Sequence, residues 1–328
     1  MSNLSWPLME DTITFSDRLK MALFVLTSEK LTNGPKVRKF EDKWSQWLGV
    51  KHSLYVSSGS TANTLLISAV KEYYGLSDGD KVLVPSCTWM TNIAPVIQAN
   101  LQPIFCDINL KNFSFDIDEL KYIASEHPDI KAVFITHLIG LSSDVEKVRE
   151  IFPNALILED ICESHGVRGP DGVKRGVKSV GSTFSFYFGH HITTIEGGVV
   201  STNDEEIYNV LLQLRSHGWD RDLSPEKQQE LRKEWEVSDF SALYTFYVPG
   251  FNLRSTDLQA QLGIQQLLKV DGMINNRFQN FLYYKSKLEG KTWFPKTFSD
   301  EFTSNFAIPV ITKSSEDKEN LIKKLQLT

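Results

Sequence analysis

Phe184-Ser185-Phe186-Tyr187-Phe188-Gly189-His190-His191-Ile192-Thr193-Thr194-Ile195-Glu196-Gly197-Gly198 is the stretch on which the reading of this chain turns. Residues 183–187 and 198–201 read as two closely spaced strands, aromatic and β-branched, with paired histidines in the link between them. Two such histidines could ligate a metal. Neighbours on extended chain point to opposite sides, however, and no nearby cysteine or carboxylate completes a recognisable metal spacing. No metal site is expected here.

Outward from this stretch, short apolar runs alternate with helical patterns. Residues 53–56, 81–84, 103–106, 132–137 and 155–159 read as strands, and 60–74, 91–99 and 144–151 as helices. That alternation argues for an α/β fold with a mostly parallel sheet covered by helices. Beyond Asn203 the pattern changes. Residues 205–216 are helical, and 224–237 form a charged surface excursion. Residues 256–288 make a long helix in which Gly263 and Gly272 are weak points for a bend or break. Residues 306–311 read as a strand and 316–325 as a helix, opening a smaller α/β unit with little chain after it to pair with that strand.

The bulk numbers narrow the function classes. A length of 328 residues allows one large domain, with or without a smaller one. Hydrophobic content of 41% and charged content of 23% are ordinary for a globular chain. A net charge of −6 without any Lys/Arg-rich run argues against nucleic acid or an anionic membrane as main partner. A phosphorylated ligand stays open, because backbone N–H groups bind phosphate without a basic surface. Residues 1–11 lack a basic region followed by an apolar stretch, so no signal peptide is expected. No segment approaches the ~20 apolar residues that cross a bilayer. Cys87, Cys106 and Cys162 are scattered, odd in number and without C-x-x-C spacing, which disfavours a disulfide framework or a four-cysteine iron–sulfur cluster and favours the cytoplasm.

Several residues carry possible chemistry. Ser57-Ser58-Gly59-Ser60-Thr61-Ala62-Asn63 follows a strand and opens a helix, where free N–H groups and the helix dipole favour an anion. The plain alternative is a turn with Ser60 as N-cap. Asp160 follows the expected 155–159 strand at its C-terminal end, the sheet edge where ligands collect. There it either holds a pyridinium N–H or merely caps a helix. Trp89 follows the 81–84 strand at the same edge, as a stacking surface or as a core tryptophan. His165 and His217 either touch substrate or serve as structural hydrogen-bonding groups.

Together these segments resemble the sugar aminotransferase family of fold-type I pyridoxal phosphate enzymes. The resemblance runs over nearly the whole chain: Thr32-Asn33-Gly34-Pro35-Lys36-Val37 with Phe40-Glu41, the Ser-Gly-Ser-Thr-Ala-Asn loop, Glu159-Asp160 before Ser164-His165-Gly166, Ile192-Thr193-Thr194 before Glu196-Gly197-Gly198, and Gly250-Phe251-Asn252-Leu253-Arg254. It implies an aspartate-aminotransferase-like large domain with a mostly parallel seven-stranded sheet over residues 1–250. A linking helix and an incomplete small α/β domain follow over 251–328. It implies that Ser57 to Ser60 (Ser58, Gly59 and Ser60 foremost) and Ser185 hold the phosphate of pyridoxal 5'-phosphate or pyridoxamine 5'-phosphate. Trp89 would cover the ring, Asp160 pair with the pyridine nitrogen, and Glu163 approach the ring hydroxyl. Asn252 would reach the phosphate of a neighbouring subunit, making a homodimer with shared active sites. His217 and Arg254 would contact substrate.

Two departures from the family pattern matter. A Gly-Glu-Gly-Gly run is here Ile195-Glu196-Gly197-Gly198, and the family's cofactor-binding lysine falls on His190. Imidazole cannot form the imine that a lysine amine forms with the aldehyde. The resemblance therefore points to a histidine-bearing branch of 3-dehydratases, which remove the C3 hydroxyl of a nucleotide-linked 4-keto-6-deoxy sugar. The implied nucleotide is GDP, and glutamate would restore the amine form of the cofactor. A CDP-sugar branch uses an iron–sulfur cluster, which the three scattered cysteines disfavour. A histidine titrating near pH ~6.5 exchanges protons close to neutrality. The alternatives are a nucleotide-sugar aminotransferase and an inactive binding module, the latter suggested by the early stop at Thr328.

Overall fold

The computed structural model describes residues 10–291 and 302–326; most of the N-terminal segment read for a signal peptide lies outside the described residues. The elements run α1 (Phe15–Thr27), α2 (Pro35–Leu48), β1 (His52–Val56), α3 (Gly59–Tyr74), β2 (Lys81–Pro85), α4 (Ala94–Gln98) and β3 (Gln102–Cys106). They continue through α5 (Ile117–Glu126), β4 (Ala132–Thr136), α6 (Val145–Ile151), β5 (Leu156–Asp160), β6 (Gly181–Ser185), β7 (Gly198–Thr202) and α7 (Glu205–Arg215). Last come α8 (Pro225–Glu234), α9 (Asp239–Ala242), α10 (Asp257–Leu267), α11 (Val270–Leu288) and α12 (Ser315–Gln326).

The seven strands make one sheet in the order β1-β7-β6-β5-β4-β2-β3. Only β7 runs antiparallel to its neighbours, so the other six end at one common edge. Side chains alternate between faces as the pleat requires. Leu54 and Val56 enter a core with α3 and α7, while Tyr55 enters another with α2 and α10. Every strand but the edge strand β3 is buried on both faces, which explains their apolar character.

The helix α2 shows how sequence builds the second layer. Pro35 starts it, Gly49 ends it at φ 93, and Val37, Phe40, Glu41, Trp44, Ser45 and Leu48 form its buried stripe. Phe40 and Trp44 pack against Phe186 at 5.4 and 4.8 Å between ring centroids. Removing either ring should cost about 3–5 kcal/mol.

Three sequence expectations change, and the surface excursion over 224–237 gains a helix. The N-cap of α3 is Ser58, not Ser60: its hydroxyl accepts from Thr61 N, and the Thr61 side chain accepts from the Ser58 backbone. The excursion over 224–237 contains α8, which buries none of its residues and so gives no apolar period to read. The long helix over 256–288 breaks at Leu268–Lys269, between the two glycines and not at either. Gly263 lies inside α10, where its missing side chain lets the helix close on the Phe40 ring, 2.9 Å from where a Cβ would sit. Residues 306–311 are not a strand. Extended chain needs a ladder to become a strand, and this segment instead spends Ser304 N and Phe306 N on the carbonyls of Gly140 and Ile139, at 2.9 and 3.1 Å.

Candidate active site

Loops following β1, β2, β4, β5 and β6 converge at the common strand edge, where side chains aimed past the sheet meet helix starts. They enclose a cleft of ≈ 340 Å³. Of the residues anticipated from sequence, Gly59, Ser60, Trp89, Asp160, Glu163, Ser185 and His190 line it. Ser58 stands just behind as the helix cap. No lysine is among the lining residues.

One corner is built for an anion. Among the described residues, the Gly59 and Ser60 N–H groups at the start of the 16-residue α3 have no partner, and such groups with the helix dipole attract negative charge. Ser185, ending β6, sits against this corner. A Cβ at Gly59 would lie 2.5 Å from the Ser185 Cβ, so glycine is what allows the approach. Ser57 N donates to Leu253 O at 3.0 Å, tying the corner to the 250s segment.

The second corner is acidic. The Asp160 carboxylate accepts from Asn63 Nδ2 at 2.8 Å, Asn92 Nδ2 at 2.9 Å and Cys162 N at 2.9 Å. Three neutral donors fix its orientation and leave one of roughly four acceptor directions for a further N–H. It is therefore no helix cap. Glu163 accepts from Ile139 N at 2.8 Å. Burial pushes its carboxyl above the usual range and the Asp160 charge adds to that, against the Ile139 N–H.

His190 faces the cleft between these corners. Its ring stacks on Phe306 at 5.2 Å and 30°, and meets Tyr187 edge-on at 6.3 Å. Burial drives its pKa down to about 4; Arg277 acts in the same direction, while Asp160 and the Cys162 backbone oppose it. The expectation of an unperturbed imidazole is thus corrected: at neutral pH His190 is an uncharged base. His191 is fully buried and does not line the cleft, its Nε2 lying 2.8 Å from Ser304 O. His165 is fully buried among Trp44, Phe184 and Phe186, a core residue and not a substrate contact. Ile195, standing where the family pattern has glycine, adopts φ 73, a left-handed conformation unusual for a β-branched residue.

His217, Asn252 and Arg254 do not line the cleft of their own chain. They form a neighbouring cluster: Ser216 bridges Asn252, His217 N donates to Phe251 O, and Arg254 Nε donates to Asn252 Oδ1 at 2.9 Å. Thr91, Thr136, Cys162, Tyr187 and Phe306 also line the cleft, with Leu138 and Gly189. Sequence reading missed these, and also the Asn63 and Asn92 amides behind Asp160. Asn63, in the quoted loop, carried the one available signal, a polar residue one turn into a helix that starts at the ligand edge.

An anion corner and a carboxylate corner flanking a flat aromatic fit the chemistry of a phosphorylated pyridine. This site, on this sheet order, defines the class of fold-type I pyridoxal phosphate enzymes. The sequence profile of the DegT/DnrJ/EryC1/StrS aminotransferase family matches residues 14–328, and the chain belongs to that family. GDP-4-keto-6-deoxy-D-mannose 3-dehydratase of Yersinia pseudotuberculosis is 34% identical over 307 residues, covering 92% of this chain and 77% of that protein. Among solved structures, E. coli GDP-4-keto-6-deoxy-D-mannose-3-dehydratase with bound hydrated PLP superposes with a TM-score of 0.89 at 30% identity, covering 98% of this chain and 83% of that one. GDP-4-keto-6-deoxymannose-3-dehydratase with a trapped PLP-glutamate geminal diamine also gives 0.89 at 30% identity, covering 98% and 84%.

Proposed function

We propose that this chain removes the C3 hydroxyl of a nucleotide-linked 4-keto-6-deoxy sugar, GDP-4-keto-6-deoxy-D-mannose, using pyridoxal or pyridoxamine 5'-phosphate with glutamate as amino donor. The observation that carries this reading is a cleft with an imidazole and no primary amine among its lining residues, in a chain similar to 3-dehydratases. When bound, the cofactor supplies an amine for the C4 ketone and an electron-poor ring that accepts charge. Ser58, Gly59, Ser60 and Ser185 hold its phosphate, Asp160 its ring nitrogen and Glu163 its ring hydroxyl, with Trp89 over the ring face. His190, neutral at pH 7, takes a proton from the cofactor's C4′ carbon and delivers one to the departing C3 hydroxyl. Overall, the sugar gains two electrons and loses one oxygen as water. Glutamate is oxidised to 2-oxoglutarate, and its nitrogen leaves as ammonia.

The finer parts of the proposal rest on placement. Asn252, His217 and Arg254 lie outside their own cleft, which supports a homodimer in which they serve the partner's site. Residues 1–250 form the cofactor-binding unit. Residues 251–328 form the linking helix and smaller unit, with α10 packed back on α2. A cytoplasmic setting is supported by three free cysteines; among the described residues no helix is long and apolar enough to cross a membrane.

Incubation with pyridoxamine phosphate, glutamate and GDP-4-keto-6-deoxymannose tests the reading by product mass. The expected product is one oxygen lighter than substrate. A stable 4-amino sugar would overturn it in favour of an aminotransferase.

A further inference from the structure

We propose that Arg277 is a positioning residue for His190: from α11 its guanidinium spans the backbone carbonyls of His190 and Asn305, fixing the turn that presents the imidazole to the Phe306 ring. This rests on the reading of His190 as the proton-transfer group. Arg277 Nη2 approaches His190 O at 3.5 Å and Nη1 approaches Asn305 O at 3.4 Å. Both contacts are long, so what holds the two segments is the reach of the planar guanidinium fork across two carbonyl dipoles and not one short bond. Its carbon lies 6.0 Å from the centre of the Phe306 ring, which stacks on His190 at 5.2 Å. One cation therefore touches both the turn that bears the imidazole and the segment that bears its stacking partner. That segment is pinned on its far side too, by Ser304 N and Phe306 N to the turn at Ile139–Gly140. The same turn supplies the N–H held by Glu163.

The position of the charge adds a second effect. The groups facing His190 are Asp160 at the end of β5, Cys162, Glu163 and His165 in the loop after it, Tyr187 and His191 on its own loop, and Arg277 on α11. Arg277 is the cation among these, and it favours the uncharged imidazole against the Asp160 carboxylate. A planar fork suits the two-carbonyl role; an ammonium on the same stem keeps the charge but cannot span both oxygens.

The test uses the purified full chain with labelled histidine, His190 being assigned by the resonance lost in His190→Gln. In Arg277→Gln the His190 titration midpoint should rise by about one pH unit, since a nearby cation is removed. The His190 Cε1 proton should also lose the ring-current shift of the Phe306 stack. Arg277→Lys should keep the midpoint and still lose the ring-current shift. In turnover, both should lower kcat, by about 10- to 100-fold for a displaced catalytic group, with the KM for the sugar unchanged. Phe306→Leu should reproduce the kcat loss without touching Arg277, and it stands in if Arg277→Gln does not fold. If the ring-current shift and kcat survive in Arg277→Lys, or kcat survives in Phe306→Leu, the positioning role is wrong. The resonance readouts need neither sugar nor cofactor, so a chain that does not dehydrate overturns the functional reading and leaves the clamp to be judged on the spectra.

Discussion

Two regions of this molecule bury charge, and they treat it in opposite ways. In the cluster that joins α2, β1, α7 and the loop after α7, every charge meets an opposite one. Arg215, fully buried, donates to Glu41 at 2.7 Å and to Asp222 at 3.2 Å. Glu41 also accepts Tyr55 N at 2.8 Å, and Arg38 reaches Asp222 at 3.2 Å. In the cleft, Asp160 receives only neutral amides and one backbone N–H. Glu163 receives a single N–H, and the His190 Nδ1 has no hydrogen-bond partner among the described residues. Among those residues Arg277 forms no ion pair. Closed pairing is what a buried charge needs when its task is to hold segments together. Groups left short of partners at a strand edge are poised to meet charge brought by a ligand. The contrast separates site from scaffold without reference to any relative.

The sharpest way to break this contrast is His190→Lys. The cleft would gain the amine it lacks, and pyridoxal phosphate followed by borohydride should leave a stable adduct on residue 190. Dehydration should fall by about 10²- to 10⁴-fold, the usual worth of a positioned proton-transfer group. The variant also gives up the stack on Phe306, so urea unfolding should lose about 1 kcal/mol. Absence of any adduct at residue 190 means the cofactor lies elsewhere.

Arg215→Met probes the opposite region and should reverse the balance. Removing one partner strands the Glu41 charge, at a cost of about 3–5 kcal/mol in urea unfolding. Turnover per folded molecule should hold. A variant that stays stable while losing turnover would make the cluster part of the catalytic machinery and dissolve the distinction.

How far the sequence shows this arrangement follows from the same physics. Strands buried on both faces announce themselves as apolar, β-branched runs, and even the half-exposed edge strand β3 keeps Ile104, Phe105 and Cys106, so all seven were legible, and so were the loops that follow them. Asp160 could be placed because strand ends fix where side chains emerge; Ser185, read inside the 183–187 strand, was placed only by the family pattern. His190 could be placed because the family pattern sets a lysine at its position. The amides of Asn63 and Asn92 could not, since their meaning lies in a carboxylate 97 and 68 residues away. The stack of Phe306 on His190 was hidden for the same reason. Its segment looked like a strand because extended apolar chain reads alike whether its N–H groups enter a ladder or a single turn. The pairing of Glu41 with Arg215, 174 residues apart, was equally silent. Partner choice between distant side chains is a tertiary property, and both kinds of buried charge look the same in one dimension.

The smallest expected effect sharpens the contrast through pH. An unfolded histidine titrates near pH 6.5, whereas burial, only partly offset by the Asp160 charge, holds His190 at about 4. As pH falls from 6.5 toward 4, the unfolded chain takes up this proton first, so folding loses stability over that window and keeps it above. His165 and His191, also pushed down chiefly by burial, act in the same direction. Between pH 7 and 5 the share from His190 is about 2 kcal/mol, at roughly 1.4 kcal/mol per unit. His190→Gln has no proton to gain, so its stability relative to wild type should improve by about that amount on acidification in paired urea titrations. An unchanged difference would mean His190 titrates as an exposed imidazole does. The cleft would then hold a solvated group, and nothing in its electrostatics would set it apart from ordinary surface.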